Sequence, residues 1–475
     1  MSGALTERLP PKALPLGRLI VFSLSTLAYS AMGVVLFVYL PPYLASHIGV
    51  SLGAIGGVWA SVRIVDLFID PLLGHLMDRT DTRFGRYKVW LAGGVPIFML
   101  STYMLFFAPV GSGVPYLFAW LFVFYVGNSV LVLSQQAWSA TIATDYSERS
   151  RVFGMTTAVG IAAIVVSLLI AVAGPSAGLT SDQALLTMGV VIIAMAPFGI
   201  GLAAVFTPEH VNRSAAHEAF SIRDYVEIVA KPEVVRLFLA QVALTLGPGW
   251  MSAMYLFYFH DVMGFTQAQA SLLLLAYILV GIAGAPLTAR LASRIGKHRA
   301  LILTTAAFSL GLLSVLVVPK GNLAAAVPAM MWCGFMAAGF NMAISAMMAD
   351  VGDEIRLAQG KERISVLYAV LSFASKLTAA FAIGLTFPAL EFFGYVAKDG
   401  AHNTPAAITA LQWLFIAGPI AFVMLGGVCV WGWRLDATRH AEIRAALDAR
   451  DRVLEEAAIL TNTGARPSPV VLAES

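Results

Sequence analysis

The chain has 475 residues, of which 59% are hydrophobic and 12% charged, with a formal net charge of +3 and a mean hydropathy of +0.80. Soluble domains average about 45–50% apolar and about 25% charged residues, so a water-soluble chain with a large catalytic domain is excluded. Cys333 and Cys429 each lie inside an apolar run, which leaves no disulfide framework and no thiolate zinc or iron–sulfur cluster.

Apolar runs long enough to cross a bilayer fall at 18–41, 52–77, 89–109, 114–140, 152–174, 184–206, 236–260, 266–289, 300–318, 323–348, 364–388 and 405–433. In lipid each span must satisfy its own backbone hydrogen bonds, and these unbroken runs lack the alternation of barrel strands, so all twelve are predicted as helices. The first run is too long for a signal peptide and has no small-residue cleavage site, so it is retained. The predicted organisation is a cytoplasmic start (1–17), a six-helix bundle (18–206), a cytoplasmic linker (207–235), a second six-helix bundle (236–433) and a cytoplasmic tail (434–475).

Basic residues set the expected orientation. Arg8, Lys12 and Arg18 precede the first span; Arg79, Arg83, Arg86 and Lys88 follow the second; Arg149 and Arg151 follow the fourth. Arg213, Arg223, Lys231 and Arg236 follow the sixth, Arg290, Arg294, Lys297 and Arg299 the eighth, and Arg356, Lys361 and Arg363 the tenth. Arg434, Arg439, Arg444, Arg450, Arg452 and Arg466 come after the twelfth, whereas the loops on the other side hold Lys320 and Lys398. The positive-inside rule places both termini in the cytoplasm and the chain in the inner (plasma) membrane. These clusters serve topology, not nucleic-acid binding.

A shift of 215 residues aligns Tyr43 with Tyr258, Gly49 with Gly264, Ser51 with Thr266, Pro71-Leu72 with Pro286-Leu287, and Arg79 with Arg294. Two parallel six-helix repeats joined by a long connection are the plan of the major facilitator fold, with its site between the halves. The loop GHLMDRTDTR resembles the signature loop of that superfamily, and the resemblance implies a cytoplasmic gate built from Gly74, Asp78, Arg79 and Arg83, with Asp350 on the second half.

Four charges remain inside the runs: Arg63, Asp66, Asp70 and Lys376. Each costs roughly 2.5–3.5 kcal/mol on insertion scales, so such residues mark ion or substrate paths. Spacings of three and four put Arg63, Asp66 and Asp70 on one helix face. Two carboxylates about 6 Å apart repel by roughly 3 kcal/mol at an effective dielectric of 20, which favours a shared proton, a cation between them, or pairing with Arg63 and Lys376. The repeat puts Ile278, Gly281 and Ala285 opposite Arg63, Asp66 and Asp70, so the charged site belongs to one half.

Residues 61–90 (SVRIVDLFIDPLLGHLMDRTDTRFGRYKVW), 138–151 (WSATIATDYSERSR) and 349–376 (ADVGDEIRLAQGKERISVLYAVLSFASK) resemble the glycoside-pentoside-hexuronide:cation symporters, the family of the sodium-melibiose permease. The resemblance implies an all-α fold of twelve spans, no enzymatic activity, no cofactor beyond a coupling Na+ or H+, a small-molecule substrate, the lipid bilayer as surroundings and a monomer. It implies that Asp66 and Asp70, with Arg63, hold the cation, as metal ligands if it is Na+, and that Trp138 and Lys376 meet the substrate. Two family acids are missing: Ser134, expected to complete the cation site with carbonyls or water, and Ser30, expected beside the substrate, stand at those places. Galactoside recognition therefore loses support; the resemblance implies cation-coupled symport of a small solute, a sugar, glycoside or anionic sugar derivative, by alternating access, with a lysolipid or other amphipathic solute, or a non-transporting sensor or scaffold of the same fold, as alternatives. Gln135 on the fourth span, Asn341 on the tenth and Tyr255 on the seventh are further candidates for the cavity wall. Pro41-Pro42 and Gly247-Pro248-Gly249 are expected to interrupt the first and seventh helices. There is no phosphate loop and no H-E-x-x-H.

Overall fold

The computed structural model describes residues 14–142, 146–209, 227–360, 363–398 and 401–463. Arg8, Lys12, Arg213, Arg223, Lys361, Arg466 and most of the 207–235 linker lie outside them. Among the described residues twelve helices are long and apolar enough to cross a membrane, and there are no strands. They are α1 (Leu16–His47), α2 (Leu52–Arg79), α3 (Tyr87–Phe106), α4 (Gly113–Ile142), α5 (Tyr146–Ala173) and α6 (Ser181–Phe206) in the first half. The second half holds α7 (Pro232–Val262), α8 (Gln267–Ile295), α9 (Lys297–Val317), α10 (Leu323–Gln359), α11 (Ile364–Phe392) and α12 (Pro405–Cys429). A polar helix, α13 (Ala437–Thr463), follows. The chain is a multi-pass membrane protein.

The internal repeat reappears in the backbone. Gly49 and Gly264 share a φ of 72°, a left-handed turn that disfavours any side chain. Two residues on, the Ser51 and Thr266 hydroxyls accept from the backbone N–H of Ala54 and Gln269 and cap α2 and α8. Pro71 and Pro286 sit inside those helices.

Neither expected break separates a helix in two. α1 continues through Pro41-Pro42 after a π turn at Val35–Tyr39, which loosens the ladder where the prolines lack donors. α7 runs unbroken through Gly247-Pro248-Gly249; a side chain at Gly247 would meet Val423 and the Pro419 carbonyl of α12, so this glycine serves close helix packing. The tenth helix also outruns its apolar stretch at 323–348 and ends at Gln359, where Gly360 (φ 73°) terminates it.

α1–α6 pack chiefly among themselves, as do α7–α12, and three seams join the two sets: α2 with α11, α5 with α8, and α1 with α7. The α2–α11 seam is lined with small residues. A Cβ on Gly384 would stand 2.7 Å from Ala60 Cβ, and one on Gly56 2.8 Å from Pro388 Cδ, so the two backbones lie as close as their side chains permit. On the side away from the termini the halves are latched: Tyr39 Oη donates to Ser271 Oγ at 2.8 Å, and the Glu391 carboxylate accepts the Gly53 N–H. Among the described residues α4 has no comparable packing with α10 or α11.

Candidate functional site

α2 carries three of the four deep charges. Arg63 is eleven residues into a helix that starts at Leu52, about 17 Å along its axis, which sets it at mid-depth. Its Nη1 lies 2.8 Å from Asp66 Oδ2, and its guanidinium stacks over the Tyr125 ring at 4.5 Å. Asp66 is buried, and its second oxygen accepts from Ser129 Oγ on α4 at 3.0 Å. Both Asp66 oxygens are therefore satisfied, as a carboxylate away from water requires.

One turn further, Asp70 is ion-paired with Lys376 of α11 across the α2–α11 seam. Among the described residues no hydrogen bond to either Asp70 oxygen accompanies that pair. Lys376 is the more open partner, its side chain 32% exposed against 11% for Asp70, so one side of the pair faces accessible space. The four charges are neutral together and join the two halves. Among the described residues no three His, Cys, Asp or Glu side chains gather as a metal cage, so an Na+ here would need hydroxyl, carbonyl or water oxygens beyond the two carboxylates.

Beside Lys376, Ser375 belongs to a polar cluster of three helices. Gln241 Nε2 of α7 reaches Asn341 Oδ1 of α10 at 2.9 Å, Ser375 Oγ at 3.0 Å and Thr245 Oγ1 at 3.0 Å. Gln241 is buried, and Asn341 is exposed. On the first half, α1, α4 and α5 enclose a cavity of about 650 Å³ lined by Ser30, Tyr29, Thr26, Gln135, Gln136 and Ser139 among others, without an acid. The Gln135 amide nitrogen has no hydrogen-bond partner among the described residues.

Three expected residues stand elsewhere. Ser134 is fully buried and directs its hydroxyl at Met77 Sδ, 3.6 Å away, so the α4 hydroxyl beside the acids is that of Ser129. Trp138 is enclosed, edge-on to Phe22 (5.0 Å) and beneath Lys88 (5.2 Å), rather than on the cavity wall. Tyr255 is buried and donates to the Ala270 carbonyl of α8 at 3.1 Å. Sequence reading also missed Gln241, Ser375 and Ser129. A glutamine inside an apolar run was a visible signal for the first; the two serines resemble many others in the spans.

The expected gate residues are apart. Space is open around Gly74, Asp78 accepts from Tyr87 Oη at 3.2 Å, Arg79 is exposed, and Arg83 stacks over Phe84 at 4.6 Å. The paired acid is Asp350, held by Lys297 Nζ at 2.6 Å and by His440 of α13 at 3.2 Å. Glu209 takes the place of a clamp on the first half: its two oxygens accept the backbone N–H groups of Arg86, Tyr87 and Lys88 at the start of α3.

The chain matches a known family model, described as MFS/sugar transport protein, over residues 21–437. The chain belongs to that family. It is a major facilitator transporter, not an enzyme. The transporter is 24% identical over 434 residues to the glucuronide carrier protein homolog of Escherichia coli K12, covering 88% of this chain and 92% of the relative. It is 23% identical over 432 residues to the isoprimeverose transporter of Lactiplantibacillus pentosus, covering 87% and 88%. Among solved structures, a mutant form of the nucleoside transporter NupG superposes with a TM-score of 0.68 at 13% identity, over 87% of this chain and 99% of that one, a likeness of fold.

Proposed function

We propose that this transporter is a symporter that couples entry of a sugar-like solute to Na+ or H+, by alternating exposure of a site between its halves. The observation that carries the reading is the Asp70–Lys376 pair, which crosses the α2–α11 seam at depth in line with Arg63 and Asp66. A cation or proton at Asp70 competes with Lys376. Once released, the ammonium is a donor to a solute held between Ser30 and Gln135 on one wall and Asn341 on the other. Ion binding thus prepares the substrate site, which is what coupling requires.

The relatives named for a glucuronide and for isoprimeverose support a saccharide-like solute. A free lysine facing a wall of hydroxyls and amides suits an anionic sugar derivative. Asp66 and Asp70, with Ser129, are the cation ligands in this reading; Trp138, Tyr255 and Ser134 support the fold around the site. The basic loops support cytoplasmic termini, and the reading takes the transporter as a monomer of the inner membrane.

The test is uptake by purified protein in liposomes, with sodium and pH gradients imposed separately, across neutral sugars, uronides, sulfonated sugars and lysolipids. Accumulation of a sugar-like solute under one gradient is expected. Accumulation of nothing under either would overturn the proposal, and ligand binding without uptake would point to a sensor.

A further inference from the structure

We infer that Gln241 is a positioning residue that fixes which end of the Asn341 amide faces the solute, so that the α10 wall offers a hydrogen-bond donor. The inference rests on the transport reading and adds a specificity determinant to it. The argument starts at Ser375. Its hydroxyl has one proton, which goes to the Leu371 carbonyl at 3.1 Å, so toward Gln241 the same oxygen only accepts. Gln241 therefore turns its NH2 to Ser375; Thr245 Oγ1 stands 3.0 Å from the same nitrogen, so its two protons are shared among three oxygens. That NH2 also lies 2.9 Å from the Asn341 side chain, and two donors cannot share a hydrogen bond, so the Asn341 atom facing it is the carbonyl oxygen. The Asn341 NH2 is left pointing away from Gln241. Gln241 is only 4% exposed and Asn341 is open, so the buried amide sets the orientation and the open one displays it.

The consequence is a chemical preference. With Asn341 turned this way, and Lys376 one residue from Ser375, the second half faces the solute with donors. The first-half wall supplies hydroxyls and amides that donate or accept. A solute group made of acceptors, such as a carboxylate or a ring oxygen, fits against α10 and α11.

The experiment compares 4-nitrophenyl β-D-glucuronide with 4-nitrophenyl β-D-glucoside, which differ in one carboxylate. Binding to detergent-purified protein is measured by equilibrium dialysis, and uptake into liposomes in parallel, for wild type, Gln241→Leu, Asn341→Leu and the double variant. The expected result is a glucuronide-over-glucoside preference that falls about three- to ten-fold in Gln241→Leu through KM, with maximal uptake little changed. The double variant should match Asn341→Leu, because Gln241 acts through Asn341. Gln241→Asn, which keeps an amide, should recover part of the preference. An unchanged preference in Gln241→Leu, equal losses for both glycosides, or additive effects in the double variant would overturn the inference. Wild-type protein that binds but does not accumulate refutes symport while the binding ratios still decide the role of Gln241; wild-type protein that binds neither glycoside overturns both.

Discussion

Replacing Asp70 by Asn removes one charge from a neutral set of four and leaves Lys376 at depth without its counter-charge. Two unit charges about 3 Å apart attract by roughly 5–6 kcal/mol at an effective dielectric of 20. Removing one partner of a buried pair costs roughly 3–5 kcal/mol. Lys376 is about one-third exposed, so water screens the orphaned ammonium and about 1–3 kcal/mol is the expected loss of stability. The effect on transport is larger than the effect on stability. Without a carboxylate at 70 there is no site where an arriving cation displaces Lys376, so gradient-driven accumulation should fall to equilibration while solute exchange continues. The double variant Asp70→Asn, Lys376→Met separates the two effects: it should regain most of the lost melting temperature and none of the coupling. The assay is paired accumulation and exchange in liposomes with thermal melts of the same preparations. Wild-type accumulation in Asp70→Asn, or melting losses that add instead of cancelling in the double variant, would refute the reasoning.

Tyr39→Phe removes the Tyr39–Ser271 hydrogen bond between the halves and should favour opening on the side away from the termini by about two- to ten-fold, read as faster thiol labelling of a Ser46→Cys reporter; unchanged labelling would show that this bond is no latch. Gly384→Leu forces a side chain against Ala60 and should destabilise by about 1–3 kcal/mol in thermal melts, with the α2–α11 seam opened; wild-type stability would mean that the seam is looser than described. Ending the chain at Leu435 removes α13, whose His440 and Asp451 meet Asp350, Asp353 and Arg356 and whose Ile443 and Leu447 are buried. The melting temperature should drop while coupled uptake persists, because this contact lies wholly on the second half; loss of coupling would give α13 a role in gating.

The sequence made the architecture and the charge set legible for one reason: a bilayer forbids unsatisfied backbone and stray charge, so apolar runs, basic loops and four exceptional residues carry unusually direct information. Helical spacing put Arg63 within reach of Asp66 and offered their pairing as one of three readings; the structure has the pair. The 215-residue repeat paired Gly49 with Gly264 and Ser51 with Thr266, which the structure makes matching turns and helix caps. Contacts between helices were not legible in that way. Whether a hydroxyl on α4 reaches Asp66 depends on how α4 is rotated about its axis, and the packing that sets this rotation comes from side chains scattered over several helices. Ser134 was therefore expected where Ser129 stands, and Trp138 and Tyr255 were expected in a cavity although both are packed inside their halves.

By itself, then, the sequence determined that this is a twelve-helix membrane protein of two related halves with an ionic site on one of them. Tertiary structure decided, among the readings the sequence left open, that Lys376 closes the site from the other half, and it alone decided that Gln241 holds Asn341 and that Tyr39 and Ser271 latch the halves on one side. The physical division is between local constraint and approach: solvent and periodicity act on every residue where it stands in the chain, whereas a pairing between residues 306 positions apart, as Asp70 and Lys376 are, exists only once the helices have packed.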